Sequence, residues 1–329
     1  MNSPRLEGKP ILRRQAIMRR VVIASVPCMA GSVYFFGWRS LAVVAVSCLF
    51  GFLTEYLFCR SRGEPVSEAV FVSAVIFALV VPPNVPWHVL IFGIVFAIAF
   101  GKEVFGGFGR NVFNPAMTGR CFVYVCFPVA LTSRWALPAQ GPWGALKQWT
   151  TAVTPDAITA ATPMTLAKFG EAPPPEVVDL LIGRMSGSMG VTSALLILVG
   201  GVYLYYTKTA NRSVIVTHIV TYGLLYQALH MLGVGNFYDG LTAILSAGFL
   251  FGAFFIITDP VSSPSTQPAR IIYAVLVAVL AIIIRNFSVF NAGYMFSVLI
   301  ANMFVPIIDY AVKEQKKRKT AAAAGKATS

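Results

Sequence analysis

Long apolar runs follow one another along most of the chain, and they restrict its fold more than any other feature. A helix needs about 20 mostly apolar residues to cross the hydrocarbon core of a bilayer. Runs that approach this length fall near residues 20–37, 40–58, 68–82, 87–101, 115–132, 190–206, 213–232, 240–258, 270–285 and 292–312. The sequence therefore predicts an all-α integral membrane protein with about ten transmembrane helices.

Composition argues against the main alternative, a soluble protein that binds nucleic acid. Only 12% of the residues are charged, whereas soluble domains usually contain about 25%. The net charge of +13 does not form one patch, because the basic residues cluster at the chain ends and between the apolar runs. This distribution is typical of the excess of Lys and Arg on the cytoplasmic side of membrane proteins.

The basic residues also predict the orientation in the membrane. With a cytoplasmic N-terminus, ten spans return the C-terminus to the cytoplasm. Six of the 26 Lys and Arg residues then lie outside, namely Arg39, Arg134, Lys147, Lys168, Arg184 and Arg285. We therefore expect a basic cytoplasmic N-terminus (1–19), a membrane domain (20–312) with a long outer loop at about 133–189, and a basic cytoplasmic tail (313–329).

A weak internal repeat suggests how the membrane domain is built. Residues 77–83 resemble residues 254–260, and Val-Phe-Asn at 112–114 recurs at 289–291, both with an offset of 177 residues. Each half would contain five spans, and an odd number of spans inverts the second half in the membrane. Val-Pro-Pro-Asn-Val-Pro at residues 81–86 lies between two short runs and predicts broken helices beside a site.

Three carboxylates lie within or at the edges of apolar runs, where ionisable groups are expensive and usually functional. Glu55, Asp259 and Asp309 are these residues, and a proline follows Asp259 directly. A carboxylate beside freed backbone carbonyls predicts a site for a cation or a proton. The alternative is that all three lie near the cytoplasmic interface and are hydrated there.

The richest local pattern is the glycine-rich segment at residues 101–115, Gly-Lys-Glu-Val-Phe-Gly-Gly-Phe-Gly-Arg-Asn-Val-Phe-Asn-Pro. Glycine lets the backbone approach a ligand closely, and a helix that starts after it offers free N–H groups. The amides of Asn111 and Asn114 could read the edge of an isoalloxazine or a quinone. The alternative interpretation is a tight cytoplasmic turn.

The outer loop contains Asp-Ala-Ile-Thr-Ala-Ala-Thr-Pro at residues 156–163. By composition this segment is a plain loop or the start of a helix, and no neighbouring group would activate a threonine as a nucleophile.

Together these segments resemble one known family. It contains RnfD, from the Rnf ion-translocating oxidoreductase, and NqrB, from the Na⁺-translocating NADH:quinone reductase. The resemblance covers roughly residues 12–312. Its marks are residues 101–119, 156–162, 187–190 (Gly-Ser-Met-Gly), 258–262 (Thr-Asp-Pro-Val-Ser) and 301–309.

The resemblance implies a covalent flavin on the outer loop. The family's flavinylation motif is approximately Asp-x-x-Ser/Thr-x-Ala-Thr, which Asp156, Thr159, Ala161 and Thr162 fit. It implies that Thr162 carries FMN through a phosphoester, and that a separate flavin transferase attaches it outside the cytoplasm.

The resemblance also implies further sites and partners. A non-covalent riboflavin would lie near Asn111 and Asn114, and Glu55, Asp259 and Asp309 match acidic positions linked to ion uptake. The chain would be one component of a multi-subunit complex in the bacterial cytoplasmic membrane, and the other components would handle the soluble electron carriers.

Several alternatives remain open from the sequence. The short N-terminus, Phe-Phe-Gly-Trp at 35–38 and Val-Pro-Ile-Ile-Asp-Tyr at 305–310 favour RnfD, whereas residues 101–107 and Gly119-Arg120 look more like NqrB. Rival functions are a flavin-free secondary transporter and a structural membrane scaffold. Na⁺ and H⁺ are equally compatible with the sequence.

Overall fold

Helices dominate the computed structural model, which describes residues 10–132, 135–139, 141–152, 175–234, 238–246, 248–288 and 293–327, with side chains up to residue 320. The first half contains α1 (Ala16–Phe36), α2 (Arg39–Arg62), α3 (Ala69–Leu79), α4 (Trp87–Ile98), α5 (Pro115–Cys126) and α6 (Pro128–Thr132). The second half contains α7 (Val177–Ile182), α8 (Ala194–Tyr206), α9 (Arg212–Met231), α10 (Gly240–Leu245), α11 (Phe249–Phe251), α12 (Gln267–Phe287) and α13 (Gly293–Ala327).

Two π-helices and two very short strands complete the described elements. The π-helix π1 (Ala99–Glu103) continues α4, and π2 (Gly252–Ile256) continues α11. The strands β1 (Leu12–Arg13) and β2 (Val66–Ser67) pair in parallel. This pairing ties the residues ahead of α1 to the connection between α2 and α3.

The structure confirms an all-α membrane protein. By length and composition, α1, α2, α9, α12 and the first 28 residues of α13 could each cross a membrane. Every other predicted run falls on a shorter helix or on a broken one. At about 1.5 Å per residue, the 11 residues of α3 span only about 16 Å, roughly half of the hydrocarbon core. The count of ten spans therefore stays a prediction.

The helix breaks lie where proline accumulates. After α3 ends at Leu79, the chain is not helical again until Trp87, and Pro82, Pro83 and Pro86 lie between them. Proline removes a backbone donor and clashes with the preceding turn, so a helix cannot continue through such a segment. A second break, at residues 257–266, follows π2 and includes Asp259 and Pro260.

The order of helices in the two halves agrees with the predicted repeat. Moving α3 forward by 177 residues gives 246–256, which covers α11 and π2. Corresponding elements also have corresponding neighbours, since α4 packs on α5 as α12 packs on α13, and α2 packs on α3 as α9 packs on π2. The inverted relation between the halves remains an inference from the odd number of spans.

The described ends of the predicted outer loop are fixed to one end of the helix bundle. Backbone N–H groups of Ala139 and Thr151 donate to the carbonyls of Phe35 and Phe36, at 2.9 and 3.3 Å. On the other side of the loop, the Gly190 N–H donates to the carbonyl at the end of α3, at 2.9 Å. Both anchors lie at the N-terminal end of α2.

Helices α4 and α5 approach each other closely through small residues. A Cβ atom on Gly119 would lie 2.6 Å from the Cβ of Ala97 and 2.7 Å from the carbonyl oxygen of Gly93. Small residues allow such close packing of membrane helices.

We expect Gly119→Ala to destabilise the fold, although glycine to alanine inside a helix normally stabilises by about 0.5–1 kcal/mol. The added methyl group meets backbone atoms of α4, and overpacking of this kind destabilises by about 1–3 kcal/mol. The unfolding temperature of the purified protein in detergent measures the effect. Gly51→Ala in α2 is the control, because its nearest contact is a side-chain atom at 3.3 Å. Equal unfolding temperatures for the two variants would contradict this account of the packing.

Candidate functional site

A cavity of about 680 Å³, which includes space open to the surface, lies where the two halves meet. Its apolar wall comes from α1, α3, α8 and π2, with the aromatic rings of Phe108, Phe254 and Phe255. Asn111, Asn114 and Asp259 share its polar wall. An apolar wall with a few placed polar groups is the composition typical of small-molecule sites. The structure thus brings three of the sequence-predicted residues together.

Asn114 joins the start of α5 to the end of π2. Its Oδ1 accepts from the Met117 backbone N–H at 3.2 Å, which makes Asn114 the N-cap of α5, and Pro115 occupies the first helical position. Both residue types are preferred at those positions. The Asn114 Nδ2 also lies 3.5 Å from the Ile256 carbonyl oxygen. This side chain is therefore largely used in positioning the two elements.

The Oδ1 of Asn111 is an available hydrogen-bond acceptor in the wall of the cavity. Its Nδ2 donates to the Phe113 carbonyl at 3.0 Å, while its Oδ1 accepts no hydrogen bond from any residue the structure describes. The side chain is nevertheless buried. Gly106, Gly107 and Gly109 precede it with φ of 103°, 91° and 88°, values that L side chains rarely adopt. The glycines thus let the chain curl so that Asn111 faces the cavity.

Lys102, on π1, is a site residue that sequence reasoning missed. It lines the same cavity, and its Nζ donates to Glu55 Oε2 at 2.6 Å and to Ser67 Oγ at 3.3 Å. The side chains of Lys102 and Glu55 are only 2% and 1% exposed. The Ser67 N–H donates to the other Glu55 oxygen at 2.9 Å. The segment around Lys102 is conspicuous in the sequence, but nothing local pairs it with a carboxylate 47 residues earlier.

A second cavity, of about 690 Å³ including open space, lies on the other side of this ion pair. It is polar and is lined by Glu55, Ser67, Arg13, Arg62, Glu103 and Arg110, among others. Arg62 forms an ion pair with the fully buried Glu103. The other oxygen of Glu103 has no hydrogen-bond partner among the described residues.

The rim of the first cavity is held by an ion pair between the start of α1 and the residue before α3. The Arg19 Nε donates to Glu68 Oε1 at 2.9 Å, and the Gln15 N–H also donates to this carboxylate. Both oxygens of the Glu68 carboxylate thus accept hydrogen bonds. The pair fixes the start of α1 against the start of α3.

Asp309 lies apart from both cavities, on the partly exposed surface of α13. The Ser265 N–H and hydroxyl donate to its Oδ2 at 3.0 and 2.8 Å, and the Thr266 N–H donates to its Oδ1 at 3.4 Å. A carboxylate here accepts hydrogen bonds from backbone N–H groups that have no partner within α12. Its negative charge also interacts favourably with the positive N-terminal end of the α12 dipole. Its part in an ion path stays a prediction, and the structure gives it a capping role.

The predicted flavinylation residues Asp156, Thr159 and Thr162 lie outside the described residues. The structure describes the anchors on either side of them, at residues 135–139, 141–152 and 188–191, which fix where the loop leaves and rejoins the bundle.

A buried polar cluster around His218 was also not predicted. The His218 Nδ1 lies 3.0 Å from the Ala274 carbonyl, and its Nε2 lies 3.0 Å from the Tyr294 hydroxyl. Arg285 donates to the Tyr222 hydroxyl at 3.0 Å. These contacts join α9, α12 and α13. Within the part of the chain that the structure describes, no group of three His, Cys, Asp or Glu residues could hold a metal ion.

We expect Asp309→Ala to lower the unfolding temperature by a few degrees, because loss of a helix cap typically destabilises by about 1 kcal/mol. Glu314→Ala is the control on the same helix, since Glu314 pairs with the exposed Arg318. A thermal scan of both variants measures the difference. An unchanged midpoint for Asp309→Ala would show that the cap contributes nothing to stability.

The chain is similar to known proteins over almost its entire length. The model of the NQR2, RnfD, RnfE family matches residues 8–318. The component designated D in an ion-translocating oxidoreductase complex from Alcanivorax borkumensis is 33% identical over 90% of this chain and 90% of its own. The component designated D in the Na⁺-translocating ferredoxin:NAD⁺ oxidoreductase complex from Acetobacterium woodii is 34% identical over 95% of this chain and 93% of its own. The component designated B in the Na⁺-translocating NADH-quinone reductase from Ectopseudomonas mendocina is 35% identical over 88% of this chain and 70% of its own.

Proposed function

Because the chain belongs to the NQR2, RnfD, RnfE family, we propose that it is a membrane subunit of an ion-translocating oxidoreductase complex. The names of its relatives support this role, as does the multi-pass helical architecture. The chain acts as one part of an enzyme and depends on other subunits for the complete reaction. Its environment is the bacterial cytoplasmic membrane, with both termini in the cytoplasm.

Within the family, the finer proposal is the RnfD component of an Rnf-type complex. It rests on the sequence marks at residues 35–38 and 305–310. The NqrB component of a Na⁺-translocating NADH:quinone reductase is the second candidate, because a relative from such an enzyme is 35% identical. The electron donor and acceptor of the purified complex separate the two, since reduced ferredoxin with NAD⁺ fits the first and NADH with a quinone fits the second.

The single observation that carries a redox role, rather than that of a plain transporter, is the motif Asp156, Thr159, Ala161 and Thr162. We expect Thr162 to carry FMN through a phosphoester after the action of a flavin transferase. A bound flavin supplies the redox chemistry, while the protein supplies position and local charge. Anchoring of both loop ends at the N-terminal end of α2 would keep this cofactor at one face of the membrane.

We propose that the second, non-covalent flavin binds in the cavity beside α5. The free Oδ1 of Asn111 would accept a hydrogen bond from the ring N–H of an isoalloxazine, and the apolar wall with Phe108 would exclude water. Lys102 also lines this cavity, and its ammonium is paired with Glu55. Asp259 completes the polar wall and, with Glu55, belongs to the proposed ion path.

The two flavin positions would lie at opposite ends of α2. This helix has 24 residues and is about 36 Å long at 1.5 Å per residue. The loop anchors lie at its start, whereas Glu55 and its partner Lys102 lie toward its end. We infer that electrons cross the membrane within this subunit while Na⁺ or H⁺ moves through the complex. A flavin-free secondary transporter, suggested by the repeat and the broken helices, would need neither flavin.

We expect Thr162→Ala to abolish covalent flavin while the protein still inserts in the membrane, because the ester oxygen is lost. In-gel fluorescence of the SDS-denatured chain, co-expressed with a flavin transferase, measures this. Thr165→Ala, three residues away, should keep the fluorescence. A fluorescent Thr162→Ala band would refute the attachment site, and a dark wild-type band beside an active control would favour the transporter.

We expect Asn111→Leu to lose non-covalent riboflavin and to keep covalent FMN, because leucine fills a similar volume without the acceptor oxygen. Chromatography of the flavin released by denaturation gives the stoichiometry. Ser73→Ala alters another polar residue of the same cavity and should retain riboflavin. Full riboflavin occupancy in folded Asn111→Leu would exclude Asn111 as a ligand.

A further inference from the structure

The second, polar cavity is rich in arginine. It has a volume of about 690 Å³, open space included, and its charged lining consists of Arg13, Arg62, Arg110, Glu55, Glu64 and Glu103. Glu55 pairs with Lys102, and the other two glutamates pair with Arg62. Arg13 and Arg110 are exposed and form no ion pair with any residue that the structure describes. Two guanidinium groups at this cavity are therefore available to an anion.

The glycine turn after π1 makes room for arginine side chains at the cavity. A Cβ atom on Gly106 would lie 2.9 Å from the Cδ of Arg110, and one on Gly107 would lie 3.0 Å from the Nη2 of Arg62. Both glycines have a positive φ, which L side chains rarely adopt. The bare backbone thus lets two guanidinium groups approach the turn. Such groups recognise phosphate through paired N–H donors.

Glu103 gives the same cavity a buried acceptor. Its side chain is fully buried, and one carboxylate oxygen is bonded to Arg62. Its Oε1 has no hydrogen-bond partner within the described part of the chain. A buried acceptor without a donor is unfavourable, more so when it is charged. A ligand that brings an ammonium group into the cavity would supply a suitable donor.

Outward-facing apolar side chains border this cavity. Val104 and Phe105 directly follow Glu103, and both are exposed, as are Leu57 and Phe58 in the last turns of α2. Exposed apolar surface of this kind marks contact with a membrane. Helix α2 is long enough to cross a bilayer, and its last residue lines the cavity. The cavity therefore lies at the level of the lipid headgroups, next to a surface for acyl chains.

We propose that the polar cavity binds the headgroup of a phospholipid that carries a primary ammonium beside its phosphate. The phosphate pairs with Arg110 and Arg13, and the ammonium donates to the second oxygen of Glu103. Basic pockets between transmembrane helices bind lipid headgroups in this way. A bound lipid joins the turn after π1 to the end of α2. The site uses neither Glu55 nor Lys102, so it is independent of the proposed redox role.

The first test compares lipids with identical acyl chains and different headgroups. We expect phosphatidylethanolamine to raise the unfolding temperature of the delipidated full-length chain in detergent. The concentration for half of this effect should be about tenfold lower than for phosphatidylcholine, as one charge-assisted hydrogen bond accounts for. Both lipids carry the same phosphate and net charge, but a trimethylammonium has no N–H to donate to Glu103. Equal effects of the two lipids would overturn the proposal.

Two further probes identify the source of the headgroup. Phosphatidylglycerol has the phosphate without the ammonium and should bind less tightly than phosphatidylethanolamine. If it binds as tightly or more tightly, the cavity selects anionic lipid and the proposal fails. Soluble glycerophosphoethanolamine carries the headgroup without acyl chains and should have no effect at the same concentrations. An equal effect of this compound would overturn a lipid as the occupant.

Variants test the two charged groups separately. Arg110→Gln should weaken the binding of both lipids, because the phosphate is common to them, and the exposed position favours normal folding. Glu103→Gln should remove the preference for phosphatidylethanolamine and leave the affinity for phosphatidylcholine unchanged. Arg60→Gln is the matched control and should change neither, since Arg60 is an exposed arginine of α2 outside the cavity.

Wild-type affinity in Arg110→Gln, or a retained preference in folded Glu103→Gln, would overturn the assignment of these residues. Loss of binding in Arg60→Gln equal to that in Arg110→Gln would show general attraction to basic surface and would also overturn the site. If Glu103→Gln does not fold, the comparison of the two lipids on the wild type decides the role of the carboxylate.

Discussion

Helix breaks in apolar surroundings leave backbone groups that water cannot reach, and the way this chain satisfies them determines the rest of the structure. In lipid each unsatisfied N–H or C=O is strongly unfavourable. At the first break, Arg39 donates to the Pro83 and Val85 carbonyls at 2.9 and 2.7 Å. At the second break, Asn114 reaches the Ile256 carbonyl. Polar side chains therefore gather where the helices end, in an otherwise apolar bundle.

The same constraint explains where the candidate site lies. The segment after π1 curls through glycines with positive φ, and α5 then starts beside the end of π2. These two interruptions leave a cavity whose wall is mostly apolar but includes Asn111 and Asp259. π-helical turns are frequent at functional sites, and π1 carries Lys102 into contact with Glu55. Broken helices thus supply both the space and the polar groups.

Apolar length and proline placement made much of the fold predictable. Every predicted run coincides with a helix or a broken helix, since hydrophobicity and helix breaking are local properties. Asn111 was recognisable as a ligand candidate from its glycine-rich context. The pairing of Glu55 with Lys102 was not, and neither was the contact between Asp309 and a serine 44 residues earlier. Such contacts depend on how distant helices pack, which the pattern within each helix does not encode.

The junction between the outer loop and the end of α3 has a consequence for divergence within the family. Two bonds hold it, from the N–H groups of Met189 and Gly190 to the carbonyls of Val81 and Leu79, at 3.2 and 2.9 Å. Both are main-chain bonds, so most side chains there can change without removing them. Gly190 is the exception, because a Cβ atom would lie 2.5 Å from the Cβ of Leu79. Homologues that share only about a third of their residues can therefore keep these two hydrogen bonds although most of the surrounding side chains differ. We expect the glycine at position 190 to be retained among them.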